Sequence, residues 1–247
     1  MHGVVCAGAL AHSGLRELGI ERVPLLKVHG ETILARTVRC LRDGGGCSMV
    51  DVLAPAELPL PDGPGVRHAA YSGRLISDGI RLLRDQVQDD YVLVAGGDCA
   101  LLTPECIAVL VDQGLKLDAD FVYPAVERAV AEARFPGGKR TYRRFREGTV
   151  TGGNVFLIRR RYILDAEPWL TELFARRKNP LAMGQLFGLG FLWMLITGTA
   201  PLATIEARVS SALRGKFRAL LMDYPEIAVD IDKPADYALL RAELDPL

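Results

Sequence analysis

Residues 90–104 read DYVLVAGGDCALLTP, an apolar run that ends in two glycines and one carboxylate, Asp98. Thr103-Pro104-Glu105 then opens an amphipathic helix. In an open α/β sheet the ligand crevice lies at the carboxyl ends of the strands. We therefore expect Asp98 at that edge, where a carboxylate can hold a divalent cation against substrate phosphates. The alternative is that Asp98 only caps a turn.

The composition is that of a globular protein with a large core. Of 247 residues, 49% are hydrophobic, which excludes wholesale disorder. Lys plus Arg equals Asp plus Glu at 30 each, so the charge balance gives no sign of a nucleic-acid binder. Five cysteines form no C-x-x-C pair and are typical of reduced thiols. Because the N-terminus lacks the basic region of a secretory signal, we expect a cytoplasmic protein.

Short apolar runs alternate with helical patterns along the chain. The predicted strands are Gly3–Ala7, Met49–Ala54, Val66–Ala70, Tyr91–Ala95, Ala119–Val126, Val155–Arg159 and Ile227–Ile231. The predicted helices are Thr32–Asp43, Leu75–Gln86, Pro104–Gln113 and Pro234–Leu244. This rhythm predicts an α/β fold with a parallel sheet and helices on both faces.

The segment from Leu181 to Ile205 contains no charged residue. Its length would suffice for a transmembrane helix, which needs about 20 apolar residues. Its glycines, Gln185 and Pro201 instead favour two buried helices joined at 197–201. A surface groove for an apolar substrate or partner is an intermediate possibility. We expect one domain over residues 1–247, with a helical insertion at about 165–215.

Four motifs follow one another in an order that resembles a known superfamily. They are Val4–Ala9 (VVCAGA), Pro24–Leu34 (PLLKVHGETIL), Gly97–Leu102 (GDCALL, with alanine in place of a proline) and Asp230–Tyr237 (DIDKPADY). The set resembles the MobA-like NTP transferases, a superfamily of nucleotidyltransferases for molybdopterin, sugar phosphates and methylerythritol phosphate. The resemblance implies a single Rossmann-like domain of the nucleotide-diphospho-sugar transferase (GT-A) type, with a mixed, mostly parallel sheet.

The resemblance also implies a reaction and a metal site. A nucleoside triphosphate would transfer its NMP unit to a small phosphorylated acceptor and release pyrophosphate, with Mg²⁺ as cofactor. Asp98 would be a catalytic residue and the primary metal ligand. Asp230 and Asp232 alternate along a predicted strand end, so both would face the same ion. The alternative for this pair is a turn before the last helix, which Pro234 suits as a first-turn residue.

The N-terminal loop resembles a phosphate loop whose backbone N–H groups bind anions. Ala7, Gly8 and Ala9 would contact the nucleotide, together with Gly97. Arg16 could replace the catalytic arginine of the family. The family's usual lysine position is Val23, with Arg22 before it as a substitute or as a solvated surface arginine.

A shorter resemblance concerns the base. The segment with Gly73, Arg74 and Ser77 is similar to the cytidine-binding stretch of the methylerythritol-phosphate cytidylyltransferases. Helix capping by Ser77 is the alternative. The base therefore stays open between cytosine and purines.

The basic segment 134–146 precedes a Thr-Gly-Gly-Asn motif. Arginine forks bind phosphate through two hydrogen bonds, so this region is a candidate clamp for the acceptor. The candidate substrate-binding residues are Lys139, Arg140, Arg143, Gly153 and Asn154. A solvated ribbon or an oligomer contact, as in a homodimer, is the alternative.

Three functions remain open at this point. The first is Mg²⁺-dependent nucleotidyl transfer, with a lipid-linked acceptor or a membrane-docked enzyme as a less favoured variant. The second is a glycosyltransferase that uses a nucleotide-sugar, although no D-x-D follows the central strand. The third is a catalytically weak relative that binds nucleotide.

Overall fold

The computed structural model describes residues 1–138, 140–168, 170, 190, 194 and 197–246. The strands are β1 (His2–Cys6), β2 (Lys27–Val28), β3 (Glu31–Thr32), β4 (Met49–Ala54), β5 (Val66–Ala70), β6 (Tyr91–Gly96), β7 (Phe121–Glu127), β8 (Arg143–Arg144), β9 (Thr149–Gly152), β10 (Val155–Arg159) and β11 (Phe217–Leu221). The helices are α1 (Ser13–Arg16), α2 (Ile33–Asp43), α3 (Leu75–Asp85), α4 (Pro104–Lys116), α5 (Arg128–Arg134), α6 (Arg160–Asp165), α7 (Leu202–Ala212) and α8 (Pro234–Leu239). Two 3₁₀ turns cover Val23–Leu25 and Pro225–Ala228.

The main sheet has the order β5-β4-β1-β6-β10-β7-β9-β8, and β11 pairs with the free side of β7. Strands β5, β4, β1 and β6 are parallel neighbours, and β11 is parallel to β7. β10 enters between β6 and β7 and is antiparallel to both. The prediction of a mixed, mostly parallel sheet is therefore confirmed, whereas an all-parallel sheet is not what forms.

Helices cover both faces of this sheet, as predicted. On one face α2 and α4 pack together, with Leu34 and Ile107 buried against Val5 and Val52. On the other face α3 and α6 pack together over Leu53 and Val92. Strand β1 is covered on both sides, which explains why its sequence is a continuous apolar run rather than an alternating one.

Two helix starts follow from capping residues that the sequence displays. The Thr32 hydroxyl accepts a hydrogen bond from the Ala35 N–H at 3.1 Å, and the Thr103 hydroxyl accepts from the Cys106 N–H at 3.2 Å. Pro104 occupies the first turn of α4, where its missing N–H costs no helical hydrogen bond. α4 therefore begins directly behind the loop that carries Asp98.

The predicted final strand over Ile227–Ile231 is wrong. Residues 225–228 form a 3₁₀ turn instead, and the strand beside β7 is β11. The apolar side chains at 227, 229 and 231 are buried as expected, but they belong to a loop packed on the core. An apolar run of this length does not distinguish a strand from a buried loop. The closing helix α8 is also shorter than predicted, ending at Leu239.

Most of the apolar segment 181–205, and so much of the predicted insertion at 165–215, lies outside the described residues. The described part of it that follows Pro201 belongs to α7. In the portion of the chain that is described, no helix is long and apolar enough to cross a membrane.

Candidate functional site

The carboxyl ends of β1 and β6 lie side by side and are held by backbone hydrogen bonds. The Gly97 N–H donates to the Cys6 carbonyl at 2.9 Å, and the Ala7 N–H donates to the Leu53 carbonyl of β4 at 3.0 Å. A Cβ atom at Gly97 would lie 2.9 Å from the Cβ of Ala7. Glycine is therefore required at this position for the two strand ends to approach each other.

The loop after β1 is built from small residues in close contact with their surroundings. A Cβ atom at Gly8 would lie 2.4 Å from the ring of Tyr71, which follows β5. The Ala11 N–H donates to the Glu21 carbonyl at 3.1 Å and closes the loop. Among the described residues, no acceptor contacts the N–H groups of Gly8, Ala9 and Leu10. These three consecutive donors are available to an anion, as in a backbone nest.

The two arginines predicted near this loop have different surroundings. Arg22 donates from Nη1 to the Gly8 carbonyl at 3.1 Å and from Nη2 to Glu57 at 3.2 Å, so its guanidinium braces the loop. Arg16 is exposed at the end of α1. Val23, at the usual lysine position, is buried and lines the cleft beside the loop. The catalytic role of Arg16 and the nucleotide contact of Arg22 stay predictions.

Three carboxylates converge where β6 ends. We call Asp98, Asp230 and Asp232 the carboxylate cluster. One carboxylate oxygen from each of them lies within 4.8 Å of the other two. The Ile231 N–H donates to the Asp98 carbonyl at 3.3 Å, which joins the two segments. The residues at 230 and 232 flank this buried isoleucine in a loop and not in a strand, so the expected strand alternation is not what brings them together.

The turn that follows the carboxylate cluster holds the backbone of Asp232 in place. The Asp236 carboxylate accepts hydrogen bonds from the N–H groups of Asp232 and Lys233, at 3.3 and 2.8 Å, and caps α8. The sequence signal for this role is a carboxylate three residues after the N-cap position, which is a known capping arrangement. Sequence reasoning assigned no function to Asp236.

The cluster concentrates negative charge in a partly buried place. Burial, followed by the charge of Asp230, raises the pKa of Asp98 from 3.8 to about 7. Burial and the neighbouring Asp232 raise the pKa of Asp230 from 3.8 to about 6, and Arg140 opposes this shift. Burial and Asp98 likewise raise the pKa of the Cys6 thiol to about 12. The carboxylates therefore lack compensating positive charge, and a bound cation would stabilise their ionised forms.

Two cavities meet at the cluster. A small cleft lies between the loop after β1 and the strand end of β6, with Asp98 and Asp232 in its wall. A larger cavity of about 600 Å³ lies on the other side, with Asp230 and Asp232 in its wall. The carboxylate cluster thus stands between a small cleft and a larger cavity.

The base-binding candidates lie in the loop between β5 and α3. Gly73 adopts a φ of +89°, which favours glycine, and Arg74 and Ser77 are exposed. The loop is held by the buried Asp78, whose carboxylate accepts from the Ser72 N–H at 2.7 Å and from its hydroxyl at 2.9 Å. No hydrogen bond from Ser77 caps the described α3 helix. Its nucleotide contact stays a prediction.

The candidates for the acceptor side surround the larger cavity, whose wall includes Arg140, Arg143 and Asn154. Arg140 donates from Nη1 to the Ala228 carbonyl, and its guanidinium lies 5.8 Å from the ring centroid of Phe135. Its Nε is buried and has no hydrogen-bond partner among the described residues. Arg143 is exposed at the start of β8.

Gly153 and Asn154 form the break between β9 and β10, two successive strands that both pair with β7. The Gly153 N–H donates to the Pro124 carbonyl at 2.8 Å, and the Asn154 carbonyl accepts from Gly96 at 3.1 Å. This break turns the strand so that Asn154 faces the larger cavity. Lys139, also predicted to bind substrate, lies outside the described residues.

A mixed, mostly parallel sheet with helices on both faces and a loop of small residues after its first strand is typical of Rossmann-like folds. The family model of the MobA-like NTP transferase domain matches residues 19–178. The chain therefore belongs to the MobA-like NTP transferase family, and it is a nucleotidyltransferase-type enzyme, as its sequence motifs predict.

Solved structures show the same architecture. A hypothetical transferase from Thermus thermophilus is 33% identical, with 95% of this chain and 98% of that chain covered and a TM-score of 0.83. A CMP:2-keto-3-deoxy-manno-octonic acid synthetase complexed with CTP is 14% identical, with 98% and 96% covered and a TM-score of 0.58. The 2-C-methyl-D-erythritol 4-phosphate cytidylyltransferase of Thermus thermophilus is 17% identical, with 97% of each chain covered and a TM-score of 0.56. No curated protein sequence matches the chain significantly.

Proposed function

We propose that this chain catalyses Mg²⁺-dependent transfer of an NMP unit from a nucleoside triphosphate to a small phosphorylated acceptor, with release of pyrophosphate. The observation that carries the proposal is the position of the carboxylate cluster at the junction of two cavities. A nucleotidyl transfer needs this arrangement, because the reacting phosphates of two substrates must meet at one charged centre.

The nucleotide would occupy the side of the loop after β1. The available N–H groups at residues 8–10 can donate to the triphosphate oxygens, since backbone amides in such a loop form an anion site. Small side chains at Ala7, Gly8 and Ala9 let the phosphates approach the backbone. Arg22 stabilises this loop through the Gly8 carbonyl, and thereby supports the site without facing the small cleft.

The carboxylate cluster fits a hard divalent cation. Its donors are all oxygen atoms, which Mg²⁺ prefers, and three or fewer protein ligands leave positions for water and substrate phosphates. The raised pKa values of Asp98 and Asp230 indicate that the cluster is short of positive charge. When bound, Mg²⁺ would neutralise the charge that develops on the attacking and leaving phosphate oxygens.

The chain's own residues would mainly position the reactants. An oxygen of the acceptor phosphate forms a bond to the α-phosphorus, and the bond from that phosphorus to the bridging oxygen of pyrophosphate breaks. Arg140 and Arg143 would hold the acceptor phosphate in line, because the guanidinium fork matches phosphate oxygens. No proton transfer to the protein is required, since both phosphate groups react as anions.

The base of the triphosphate is chosen by comparing nucleotides. Two structural neighbours carry cytidine chemistry in their names, which makes CTP the first triphosphate to test. The loop with Gly73, Arg74 and Ser77 follows β5, which runs parallel to β4 and β1, so it lies at the same edge of the sheet as the loop after β1. Purine triphosphates belong in the same test, because the sequence leaves the base open between cytosine and purines.

A nucleotide-binding relative with little turnover is the second candidate. The specific observation in its favour is Val23, an apolar side chain in the wall of the small cleft at the family's usual lysine position. Such a protein would bind a triphosphate without releasing pyrophosphate.

Pyrophosphate release tests the proposal directly. We would measure it with CTP, GTP, ATP, UTP and TTP, with and without Mg²⁺, in the presence of a panel of phosphomonoesters that includes sugar, polyol and alkyl phosphates. We expect release with one triphosphate that needs both Mg²⁺ and an acceptor, and its loss in Asp98→Ala but not in the exposed control Asp62→Ala. Triphosphate binding without release under any condition would favour the second candidate and contradict the first.

A further inference from the structure

The larger cavity has two chemically different halves. The half beside the carboxylate cluster carries Arg140, Arg143 and Asn154. The opposite half, which we call the apolar wall, consists of Leu202, Ile205 and Val209 of α7 together with Phe217 and Ala219 of β11. The substrate-binding candidates named so far use only the polar half.

The apolar wall is a regular surface of the fold. Its three α7 residues follow the spacing i, i+3 and i+7, so they lie on one face of the helix. α7 packs on β11, and β11 in turn pairs with β7. The wall therefore stands on the main sheet, and its position relative to the polar half is fixed by the strands.

Aromatic rings support the floor between the halves. The rings of Tyr123 and Phe217, which both line the cavity, have centroids 6.0 Å apart. Behind them, Phe121 stacks on Phe217 at 5.6 Å, and Phe156 contacts Tyr123 at 5.5 Å. Such packed rings hold their positions without a ligand, which indicates a preformed surface.

Positive charge is placed at the boundary of the two halves. Arg143 and Tyr123 both line the cavity, and the charge of Arg143 opposes the rise that burial causes in the pKa of the Tyr123 hydroxyl. Arg143 forms no ion pair with any described carboxylate. An anion that bound here would have the carboxylate cluster on one side and the apolar wall on the other.

A sugar or polyol phosphate does not match this shape. It would fill the polar half and leave the cavity-lining part of the apolar wall without contact, whereas ligand cavities of this size are normally lined by apolar groups that the ligand covers. We propose that the acceptor is an amphipathic phosphomonoester, with its phosphate at Arg140 and Arg143 and an apolar body along the apolar wall. This inference rests on the proposed nucleotidyl transfer and narrows its acceptor class.

Calorimetric titration of a matched series tests the inference. Ethyl, butyl and hexyl phosphate differ only in apolar length, and glycerol 3-phosphate is the polar reference. We expect affinity to rise about two- to fourfold with each methylene that is buried, up to the ~0.8 kcal/mol of a fully buried methylene. Equal affinity across the alkyl series, or no binding by any member, would overturn the inference.

The same protein preparation is titrated with triphosphate and Mg²⁺. Triphosphate binding without any dependence on alkyl length would contradict the amphipathic acceptor and leave the proposed function standing. Failure of every triphosphate to bind would contradict the proposed function itself, whatever the alkyl series shows.

Two variants of α7 locate the effect. Val209→Asn places an amide in the apolar wall and should weaken hexyl phosphate binding about tenfold while leaving ethyl phosphate nearly unchanged. Ala207→Asn introduces the same side chain at an exposed position of the same helix and should change neither. If Val209→Asn does not fold, the near-isosteric Val209→Thr replaces it. An unchanged dependence on alkyl length in the folded variant would show that the wall does not bind the ligand.

Discussion

Replacement of Asp98 by asparagine probes the electrostatics of the carboxylate cluster. The side chain keeps its shape and loses its charge, so the repulsion from Asp230 disappears. In the native protein, burial and that repulsion raise the pKa of Asp98 from 3.8 to about 7. At 1.36 kcal/mol per pKa unit, the charged form costs the metal-free folded state up to about 4 kcal/mol.

The raised pKa of Asp98 makes the stability of the folded protein depend on pH. Because the pKa is raised in the folded state, that state binds more protons than the unfolded chain between pH 3.8 and about 7. The contribution of Asp98 to the stability of the metal-free protein should therefore fall as pH rises through this window and stay level above it. The asparagine variant lacks this decrease. Its gain in stability over the native protein is therefore absent near pH 4 and largest at pH 8.

Denaturant unfolding in the presence of a chelator measures this difference at pH 5, 6, 7 and 8. We expect the free energy of unfolding of Asp98→Asn to be about 2–4 kcal/mol higher than that of the native protein at pH 8. The exposed control Asp62→Asn should change this free energy little. Addition of Mg²⁺ should stabilise the native protein and not the Asp98 variant, because binding to the folded state raises its stability. A variant that is less stable than the native protein at pH 8, or that keeps the full Mg²⁺ response, would refute the reasoning.

Three further substitutions test other parts of the structure. Gly8→Ala should lower triphosphate affinity at least tenfold in a calorimetric titration, because the added Cβ would lie 2.4 Å from a tyrosine ring and displace the loop. Asp51→Asn should lower the free energy of unfolding by about 3 kcal/mol at pH 7, since its buried carboxylate accepts hydrogen bonds from an arginine and a histidine. Arg143→Ala should raise the KM for the acceptor more than the KM for the triphosphate in steady-state kinetics.

The Gly8 and Arg143 substitutions each have a control. Gly79→Ala, in the interior of α3 with open space around it, should stabilise the protein by about 0.5–1 kcal/mol and leave triphosphate affinity intact. Arg146→Ala removes an exposed charge from the same basic segment outside the larger cavity, and should change neither KM. Equal effects of Arg143→Ala on both KM values would remove it from the acceptor site.

The Asp51 network also predicts an acid-dependent decrease in stability. Hydrogen bonds and charge from Arg67 and His2 outweigh burial and lower the pKa of Asp51 below 3.8. A lowered carboxyl pKa stabilises the folded state above the unfolded value, and this contribution is lost as pH falls through the folded-state pKa. Denaturant unfolding of Asp51→Asn should therefore lack the decrease below pH 3.8 that the native protein shows.

The parallel half of the sheet could be predicted because each strand is a short apolar run between glycines, prolines and helical patterns. Met49–Ala54 and Val155–Arg159 have the same bounds in the sequence analysis and in the structure. The direction of β10 could not be predicted in this way, since it depends on the break at Gly153 that routes the chain between β6 and β7. A local sequence pattern predicts where a strand begins and ends. It does not predict which strands lie beside it in the sheet.

The candidate site, like the fold, could be predicted only in part from local sequence patterns. The position of Asp98 at the end of β6 could be predicted because its motif is contiguous with the strand. Asp230 and Asp232 reach it for a different reason than the strand alternation that predicted them, namely a loop fixed by the buried Ile231. The contact of Arg22 with the Gly8 carbonyl depends on how the loop folds back, and no spacing in the sequence reveals it.

The apolar wall could be predicted in part from the sequence. The spacing of Leu202, Ile205 and Val209 can be recognised as one helical face, but the charge-free run around it suggested buried helices or membrane contact instead. Its position opposite Arg143 follows from the pairing of β11 with β7, which the sequence analysis did not predict.

The central claim is that the carboxylate cluster binds a triphosphate together with Mg²⁺. A thermal-shift panel of CTP, GTP, ATP, UTP and TTP, each with and without Mg²⁺, measures this directly. A triphosphate at a hundred times its Kd stabilises the folded state by about 2.7 kcal/mol, which corresponds to a rise in Tm of roughly 5–10 °C for a chain of this length. We predict such a rise with one triphosphate and only when Mg²⁺ is present. The absence of any shift, or an equal shift without Mg²⁺, would contradict the account.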